Sequence, residues 1–339
     1  MIAVLGECVA DGFTTAAGTA AGTAAGTAAG TAAGTAAGSA TGGAGGGAGQ
    51  GGELGLRVLP GGGPANTAVA LARLGTPARF LGRISGDVFG ALFRERLASS
   101  GVDLSAAVEA AEPSTLSVAA LDDGGQAAYT FYAGGTADWQ WSPDELTPAR
   151  LGPAACLHTG SLALVREPGR AAVEEFARAA AARATVSVDP NVRPTLAARE
   201  DYRVERWCRW ADLLKLSEDD LRFLMPGVPV ERACDTWHAA GARLVVVTRG
   251  AAGALVSLDG ERAEVRAPEV VVVDTVGAGD SFTAGLLHDL GARGLLGGRL
   301  DGLDLDTAVA AASFAARVSA LTCSVAGANP PWADALATP

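Results

Sequence analysis

Short apolar stretches of strand length alternate with helical patterns along most of the chain. The strand candidates are IAVLG, ARFLGRI, CLHTG, TVSVD, DLLKL and RLVVVT. The helical candidates are PANTAVALARLG and residues 168–182, 201–211, 229–240, 280–291 and 304–321. Because strands that alternate with helices form βαβ units, this order predicts an α/β fold with a mainly parallel central sheet.

Two segments interrupt the alternation within what is otherwise predicted to be one domain, residues 1–339. Residues 14–52 are almost wholly Gly, Ala, Thr and Ser, and we interpret them as a flexible low-complexity insertion because they have no large side chain to bury. Residues 115–136 contain two alternating segments around Gly124 and Gly125, which predicts an antiparallel β hairpin. We expect this hairpin to act as a lid over the open sheet.

The charge balance and the cysteines narrow the functional class. The net charge is −11 and basic runs are absent from the sequence, which disfavours nucleic acid and anionic membranes and favours a small-molecule substrate. The sequence has no apolar run of membrane-spanning length and no basic segment of a signal peptide, so a cytoplasmic protein is expected. The five scattered cysteines lack metal-site spacing and are predicted to be reduced.

The most specific motif is DTVGAGDSFTAGLL at 274–287, a glycine-rich turn that opens a helix. Gly277, Ala278 and Gly279 carry little or no side chain, so their N–H groups can approach a phosphate, and the helix N-terminus adds a favourable charge. Asp280 would face the same pocket and accept the proton of a hydroxyl that attacks the γ-phosphate of ATP. The alternative is a carboxylate that only complements the helix dipole.

Other phosphate-binding architectures do not fit the sequence. A P-loop needs a Gly-Lys pair, but the sole lysine, Lys215, follows Leu214. A dinucleotide fingerprint would need glycine where Phe282 stands. The VAIK and HRD motifs of protein kinases are absent from the sequence as well.

A second motif, LPGGGPANTAVALARLG, joins the glycines at 61–63 to a helix with Asn66 in its first turn. Asn66 offers two donors and an acceptor to neighbouring sugar hydroxyls, and Asp11 after the first strand can accept from another pair. The alternative is ordinary turn and cap chemistry.

Together, GGGPANTAVALARLG at 61–75 and DTVGAGDSFTAGLL at 274–287 closely resemble the two signatures of the ribokinase-like (PfkB) carbohydrate kinases, most of all bacterial fructokinases. The resemblance runs from GECVAD near the start to GANPP at 327–331. It implies a three-layer sandwich with a small β lid, a sugar substrate, and ATP with Mg²⁺ as cofactors.

The resemblance also implies residue roles. The sugar-binding residues would be Asp11, Gly62, Gly63 and Asn66. The residues at the γ-phosphate would be Gly277, Ala278, Gly279 and Asp280. The nucleotide-side residues would be Asn191, Lys215, Ser217, Asp220, Thr248 and Gly250, although KLSEDD departs from the NxxE box that many members carry near magnesium. Asp274 and Val276, with the loop around Gly327, resemble a monovalent cation site, which would add K⁺.

The resulting hypothesis is a fructokinase, and two alternatives stay open. A 2-keto-3-deoxygluconate kinase shares most of the motifs and needs a cation for the substrate carboxylate, for which Arg166 is the candidate. A non-catalytic sugar or nucleotide sensor has the same fold without turnover. By analogy, the exposed lid hairpin favours a homodimer.

Overall fold

The computed structural model describes residues 1–15, 54–121 and 127–336. Most of the 14–52 insertion and the turn at Gly124 and Gly125 lie outside these ranges. The strands are β1 (Ile2–Leu5), β2 (Val9–Thr15), β3 (Gly55–Gly61), β4 (Ala78–Leu81), β5 (Arg83–Ser85), β6 (Val108–Ala110), β7 (Thr115–Leu121), β8 (Ala127–Tyr132), β9 (Cys156–Gly160), β10 (Thr185–Asp189), β11 (Leu213–Ser217), β12 (Leu244–Thr248), β13 (Ala254–Leu258) and β14 (Glu261–Val265). The α-helices are α1 (Gly63–Arg73), α2 (Val88–Ser99), α3 (Pro148–Leu151), α4 (Arg170–Ala180), α5 (Val204–Trp207), α6 (Glu218–Leu224), α7 (Val230–Ala240), α8 (Ala278–Ala292) and α9 (Leu305–Cys323).

The eight-stranded central sheet has the order β14-β13-β12-β11-β10-β9-β1-β4. Its pairs from β12 to β4 are parallel, and the pairs of β13 with β12 and with β14 are antiparallel. The prediction of a mainly parallel sheet is therefore confirmed. Strands β9, β10 and β13 are buried along their whole length, as is usual for central strands with both faces covered.

Helices cover both faces of this sheet. Alternate residues of each strand enter two separate cores, because successive side chains of a strand point to opposite faces. Leu214 on β11 packs on the side of α4, α5 and α7 with residues such as Trp207. Its neighbour Leu213 joins a core with α1, α8 and α9, which contribute residues such as Leu71 and Leu286. The predicted three-layer sandwich is confirmed. In the ranges described above, no helix is long and apolar enough to cross a membrane.

A second, four-stranded sheet has the order β3-β2-β7-β8. In it β7 pairs antiparallel with β8, and β2 pairs antiparallel with β3. Strand β3 was not predicted, because Pro60 and its terminal glycines disfavour a strand. Since β3 lies at the sheet edge, a proline is tolerated there.

The stretch ARFLGRI is not one strand, as predicted, but two. β4 ends at Leu81 in the central sheet, whereas β5 begins at Arg83 and pairs with β6. Gly82 separates them, and a Cβ there would lie 2.1 Å from the ring of Phe80. The chain therefore changes sheets at a glycine against which the Phe80 ring packs.

The predicted helix at 201–211 is reduced to the four residues Val204–Trp207. The N–H of Arg193 donates to the hydroxyl of Tyr202 at 2.8 Å. This contact ties the preceding residues to a neighbouring loop, so the helix begins later than its apolar pattern predicts.

Candidate active site

The carboxyl ends of the parallel strands form one edge of the central sheet, the edge at which open α/β sheets bind ligands. Three neighbouring strands end here in polar residues, β10 at Asp189, β11 at Ser217 and β12 at Thr248. Helices α1 and α8 begin beside each other, since Asn66 of α1 contacts Asp280 of α8. Residues from two motifs that are far apart in sequence therefore meet in one cleft.

Helix α8 begins in a tight glycine turn. Gly277 has a left-handed φ of 77°, and a Cβ there would lie 2.7 Å from the Cβ of Ala328, so only glycine fits. The first N–H groups of a helix lack intrahelical acceptors and, with the helix dipole, attract anions. The N–H of Ala278 donates to the Thr275 carbonyl oxygen at 3.2 Å, so this donor is shared with the turn itself.

Asp280 lies in the first turn of α8, partly buried in the cleft. Its Oδ2 accepts a hydrogen bond of 2.9 Å from the side-chain amide of Asn66. Desolvation raises the pKa of Asp280 to about 6, against the lowering effects of the Asn66 hydrogen bond and the Lys215 charge. A carboxylate with a pKa near neutrality is suited to accept a proton from a substrate hydroxyl.

Gly63, the first residue of α1, allows close approach to this carboxylate. A Cβ at Gly63 would lie 2.5 Å from Nδ2 of Asn191 and 3.2 Å from Oδ1 of Asp280. Asn191 has a left-handed φ of 40°, and its N–H donates to Oδ1 of Asp189 at 3.0 Å. The structure thus brings Asn191 against both the sugar-side helix and Asp280.

Lys215 on β11 is buried beneath the start of α8. Its Nζ donates to Oδ2 of Asp189 at 2.8 Å and lies 3.0 Å from the position that a Cβ on Gly279 would take. Desolvation lowers the pKa of Lys215, but the charge of Asp189, helped by Asp280 and Asp220, reverses the shift and raises it. The side chain is therefore an ammonium ion.

Ser217 and Asp220 form the capping box of α6. The Ser217 Oγ accepts from the N–H of Asp220 at 3.0 Å, and the Asp220 Oδ2 accepts from the N–H of Ser217 at 2.8 Å. The other carboxylate oxygen of Asp220 accepts from the N–H of Val192 at 2.9 Å. These side chains hold the helix start and the loop after β10, and their contact with a nucleotide stays a prediction.

Thr248 and Gly250 lie in the turn between β12 and β13. The Thr248 hydroxyl is 3.4 Å from the carbonyl oxygen of Leu216, which places the turn beside the end of β11. Gly250 has a left-handed φ of 55°, and the N–H of Arg249 donates to the carbonyl oxygen of Gly253 at 2.7 Å. The turn is therefore closed and borders the cleft, while its nucleotide contacts stay a prediction.

The remaining residues predicted for sugar binding lie on the second sheet and the loop into α1. Oδ1 of Asp11 accepts from the hydroxyl of Ser117 at 2.6 Å, and desolvation raises the pKa of Asp11. A Cβ on Gly61 would lie 1.9 Å from Oδ2 of Asp11 and would displace that side chain. Gly62 has a φ of 101°, and a Cβ there would lie 2.5 Å from the carbonyl oxygen of Glu7. Glycine is therefore required at Gly62.

Asp274 ties two loops together beside the start of α8. Its Oδ1 accepts from the N–H of Val276 at 3.0 Å, and its Oδ2 accepts from the N–H of Gly327 at 2.8 Å. The structure thus brings together the residues predicted for a monovalent cation site. Across the described parts of the chain, no group of three or more His, Cys, Asp or Glu side chains is arranged to hold a metal ion.

Arg166, the predicted partner of a substrate carboxylate, makes contacts inside the protein. Its guanidinium donates to the carbonyl oxygens of Leu196 at 3.1 Å and Ala133 at 3.2 Å. It also lies 5.6 Å from the ring centroid of Trp139. These contacts give Arg166 a structural role, and a substrate contact stays a prediction.

Two further residues of the cleft were not singled out from the sequence. Glu7 accepts from the hydroxyl of Ser161 at 2.5 Å, and desolvation raises its pKa to about 7. Tyr129 on β8 has a pKa raised by desolvation and by the charges of Asp11 and Asp274. An acid two residues after the buried strand IAVL was a usable signal for Glu7, whereas nothing in the sequence distinguishes Tyr129 from its aromatic neighbours.

The layered fold, the glycine turn and the adjoining carboxylate are those of an α/β carbohydrate kinase. The chain belongs to the pfkB family, since residues 54–335 match the model described as "pfkB family carbohydrate kinase". The family predicted from the two motifs is therefore confirmed.

Individual relatives agree with this assignment. The chain is 39% identical over 253 residues to the fructokinase of Klebsiella pneumoniae, covering 72% of this chain and 81% of that protein. It is 36% identical over 248 residues to the fructokinase of Rhizobium leguminosarum bv. trifolii, covering 72% and 76%. The structure of Xylella fastidiosa fructokinase with bound ATP matches with a TM-score of 0.79 and 25% identity, covering 96% of this chain and 93% of that chain. Fructokinase from Vibrio cholerae O395 with fructose, ADP and calcium ion matches with a TM-score of 0.73 and 26% identity, covering 96% and 94%.

Proposed function

We propose that the protein is an ATP-dependent fructokinase that transfers the γ-phosphate of ATP to a primary hydroxyl of fructose. The observation that carries the proposal is Asp280, a carboxylate with a raised pKa at the glycine-rich start of α8, held by Asn66. The similarity to fructokinases, including one solved with ATP and one with fructose and ADP, supports the choice of substrates.

In the proposed reaction, Asp280 accepts the proton of the attacking hydroxyl. The hydroxyl oxygen forms a bond to the γ-phosphorus while the bond from that phosphorus to the bridging oxygen breaks, and ADP leaves. The N–H groups at the start of α8 stabilise charge on the phosphoryl oxygens. Asn66 orients the carboxylate through its 2.9 Å hydrogen bond, which favours a productive approach.

Mg²⁺ would enter this site bound to ATP. A magnesium ion is usually held by one or two carboxylates together with phosphate oxygens and water. Among the described residues, no three acidic or imidazole side chains are arranged to hold a metal ion, and an ion that binds together with ATP does not need such a group. The ion would neutralise phosphate charge, and K⁺ would lie in the loop pair joined by Asp274, beside Val276 and Gly327.

We further propose that the enzyme works in the cytoplasm as a homodimer. ATP is its phosphate donor, and unpaired cysteines suit a reducing compartment. The second sheet exposes large side chains, including Tyr129 at 47% and Tyr132 at 59%, which a second copy would cover. Sedimentation at monomer mass over the micromolar range would contradict the dimer.

The substrate is tested by measuring ATP consumption with fructose, 2-keto-3-deoxygluconate, ribose and adenosine. Turnover with fructose well above the others is expected. Preference for 2-keto-3-deoxygluconate would identify that sugar acid as the substrate and would again make Arg166 the candidate partner of its carboxylate. Binding of sugar or nucleotide without turnover would favour the sensor.

The role of Asp280 is tested with Asp280→Asn, which keeps the shape of the side chain and removes the base. We expect kcat to fall about 10²-fold to 10⁴-fold, the usual contribution of a general base. In the wild type, kcat should fall as the pH drops below about 6, because Asp280 becomes protonated. Asp259→Asn, a change in the exposed β13–β14 turn, is the matched control and should leave kcat unchanged. An active Asp280→Asn variant would exclude Asp280 as the base.

A further inference from the structure

Lys215 is the only lysine among the 339 residues, and only 4% of its surface is exposed. Burying an ammonium ion is costly unless it is paired. Its Nζ is paired with Oδ2 of Asp189 at 2.8 Å. Most lysines serve as solvated surface charges, a role that this burial excludes.

The position of Lys215 carries a second cost. Its Nζ lies 3.0 Å from the site that a Cβ on Gly279 would occupy, in the first turn of α8. The start of a helix carries a partial positive charge, so it favours anions and disfavours a cation. A buried cation held at this place needs a compensating anion in addition to Asp189, and Asp280 is adjacent to Gly279 in that same turn.

The Lys215–Asp189 pair is joined to Asn191 by a hydrogen bond, and Asn191 lies close to Asp280. Asp189 uses its second oxygen to accept from the N–H of Asn191 at 3.0 Å. The side-chain amide of Asn191 and the carboxylate of Asp280 flank Gly63, at 2.5 Å and 3.2 Å from the position of its absent Cβ. A disturbance of the pair would therefore reach Asn191 and Asp280.

We propose that Lys215 is a positioning residue for phosphoryl transfer, whose buried positive charge fixes Asp189 and Asn191 and stabilises the negative charge of the Asp280 carboxylate, rather than a ligand of ATP. The inference rests on the proposed role of Asp280 as the base. The charged groups around Lys215 are the carboxylates of Asp189, Asp220 and Asp280. Those acting on Asp280 are Lys215, Asp189 and Arg193, besides the neutral donor Asn66.

The direction of the electrostatic effect follows from these neighbours. Desolvation and the charge of Asp189 raise the pKa of Asp280, while Lys215, Asn66 and Arg193 lower it, and the result is about 6. Removal of the Lys215 charge should raise this pKa further. More Asp280 is then protonated at neutral pH, so less base is available and kcat falls.

The test compares Lys215→Met and Lys215→Arg with the wild type in kcat and KM across the neutral pH range. For Lys215→Met we expect the acid limb of the kcat profile to move up by about 1 pH unit or more, as for loss of a nearby opposite charge. The KM for ATP should change less than about threefold, because no contact with ATP is removed. Lys215→Arg keeps the charge and should leave the limb closer to the wild type. A KM for ATP raised about tenfold with an unmoved limb would make Lys215 an ATP ligand and overturn the inference.

A second variant guards against simple misfolding, because Lys215→Met leaves Asp189 buried without its partner. Asp189→Asn with Lys215→Met removes both charges, and the limb should move in the same direction by less, since Lys215 acts on Asp280 more strongly than Asp189 does. An unmoved limb in this folded double variant would also overturn the inference.

The inference and the proposed function fail in different ways. If Asp280 is not the base, the Asp280→Asn variant stays active. If Asp280 is the base but the inference about Lys215 is wrong, Asp280→Asn loses activity while the acid limb of the kcat profile of Lys215→Met does not move. Calorimetry of ATP binding gives a readout that does not need turnover, because a positioning role predicts a Kd for Lys215→Met within about threefold of the wild type. A much larger Kd would reject that role.

Discussion

The central sheet and the second sheet differ in how they hold their functional groups. Strands β9 and β10 of the central sheet are buried at every position, whereas β3 of the second sheet is mostly exposed or half-buried, and Tyr129 on β8 is 47% exposed. A sheet covered on both faces opens only with the whole fold, while a sheet with one free face can move at lower cost. The groups assigned to phosphate transfer lie on the first sheet, as Asp189 and Lys215 do, or on α8 packed against it, as Asp280 does, and Asp11 lies on the second.

We expect the two sheets to serve different steps, phosphate transfer at the central sheet and sugar binding at the second sheet. Asp280, Asp189 and Lys215 are linked to the rigid sheet, so changes to them should act mainly on kcat. Asp11 contacts Ser117 within the second sheet, so its loss should act mainly on sugar binding. The predictions below separate these two effects.

Among the changes that compare the two sheets, the largest effect is expected for Gly63→Ala, at the contact between α1 and the rigid site. The new Cβ would lie 2.5 Å from Nδ2 of Asn191 and 3.2 Å from Oδ1 of Asp280. Asn191 must then move, and the base is crowded. A displacement of this kind costs on the order of 10²-fold in kcat, which steady-state kinetics with fructose and ATP would measure.

The matched control for Gly63→Ala is Gly86→Ala. Gly86 is exposed, and a Cβ there would meet no described atom within 4 Å, so both kcat and the unfolding midpoint should be unchanged. Wild-type kcat in Gly63→Ala would show that the close approach of α1 to Asp280 is not needed for turnover.

A smaller effect, of a different kind, is expected for Asp11→Asn on the second sheet. Loss of a charged hydrogen-bond acceptor for the sugar should raise the KM for fructose about tenfold to 100-fold, with a smaller change in kcat and in the KM for ATP. Ser117→Ala removes only the donor at 2.6 Å that orients Asp11 and should have a weaker effect in the same direction. A fall in kcat of Asp11→Asn at an unchanged KM for fructose would contradict the proposal that the second sheet serves mainly sugar binding.

Much of the fold was predictable because its signals are local. The buried strands β9 to β12 appear in the sequence as short apolar runs. The glycine-rich start of α8 is formed by consecutive residues, so it is visible in the sequence as a motif. The two motifs also predicted that Asn66 and Asp280 serve one site. The structure places the two side chains in contact, and their shared role stays a prediction.

The rest depended on contacts between residues far apart in sequence. Nothing near Lys215 indicates that it pairs with Asp189, 26 positions earlier. Likewise, the sequence does not reveal that the guanidinium of Arg166 is bonded to the carbonyl oxygens of Leu196 and Ala133. The split of ARFLGRI depended on a ring packed over Gly82, which strand propensity does not represent.

The smallest effect is expected for deletion of residues 18–50 from the low-complexity segment, which lies outside the described residues. The strands on either side pair antiparallel, with Thr15 opposite Gly55, so the chain leaves and returns at one end of the second sheet. After the deletion, six residues would remain between Thr15 and Gly55. Loop closure costs little more for a long connection than for a short one, so kcat/KM for fructose should stay within about tenfold of the wild type. A larger loss of kcat/KM at an unchanged unfolding midpoint would mean that the segment acts in catalysis. The function of the second sheet would then depend on this segment as well as on its strands.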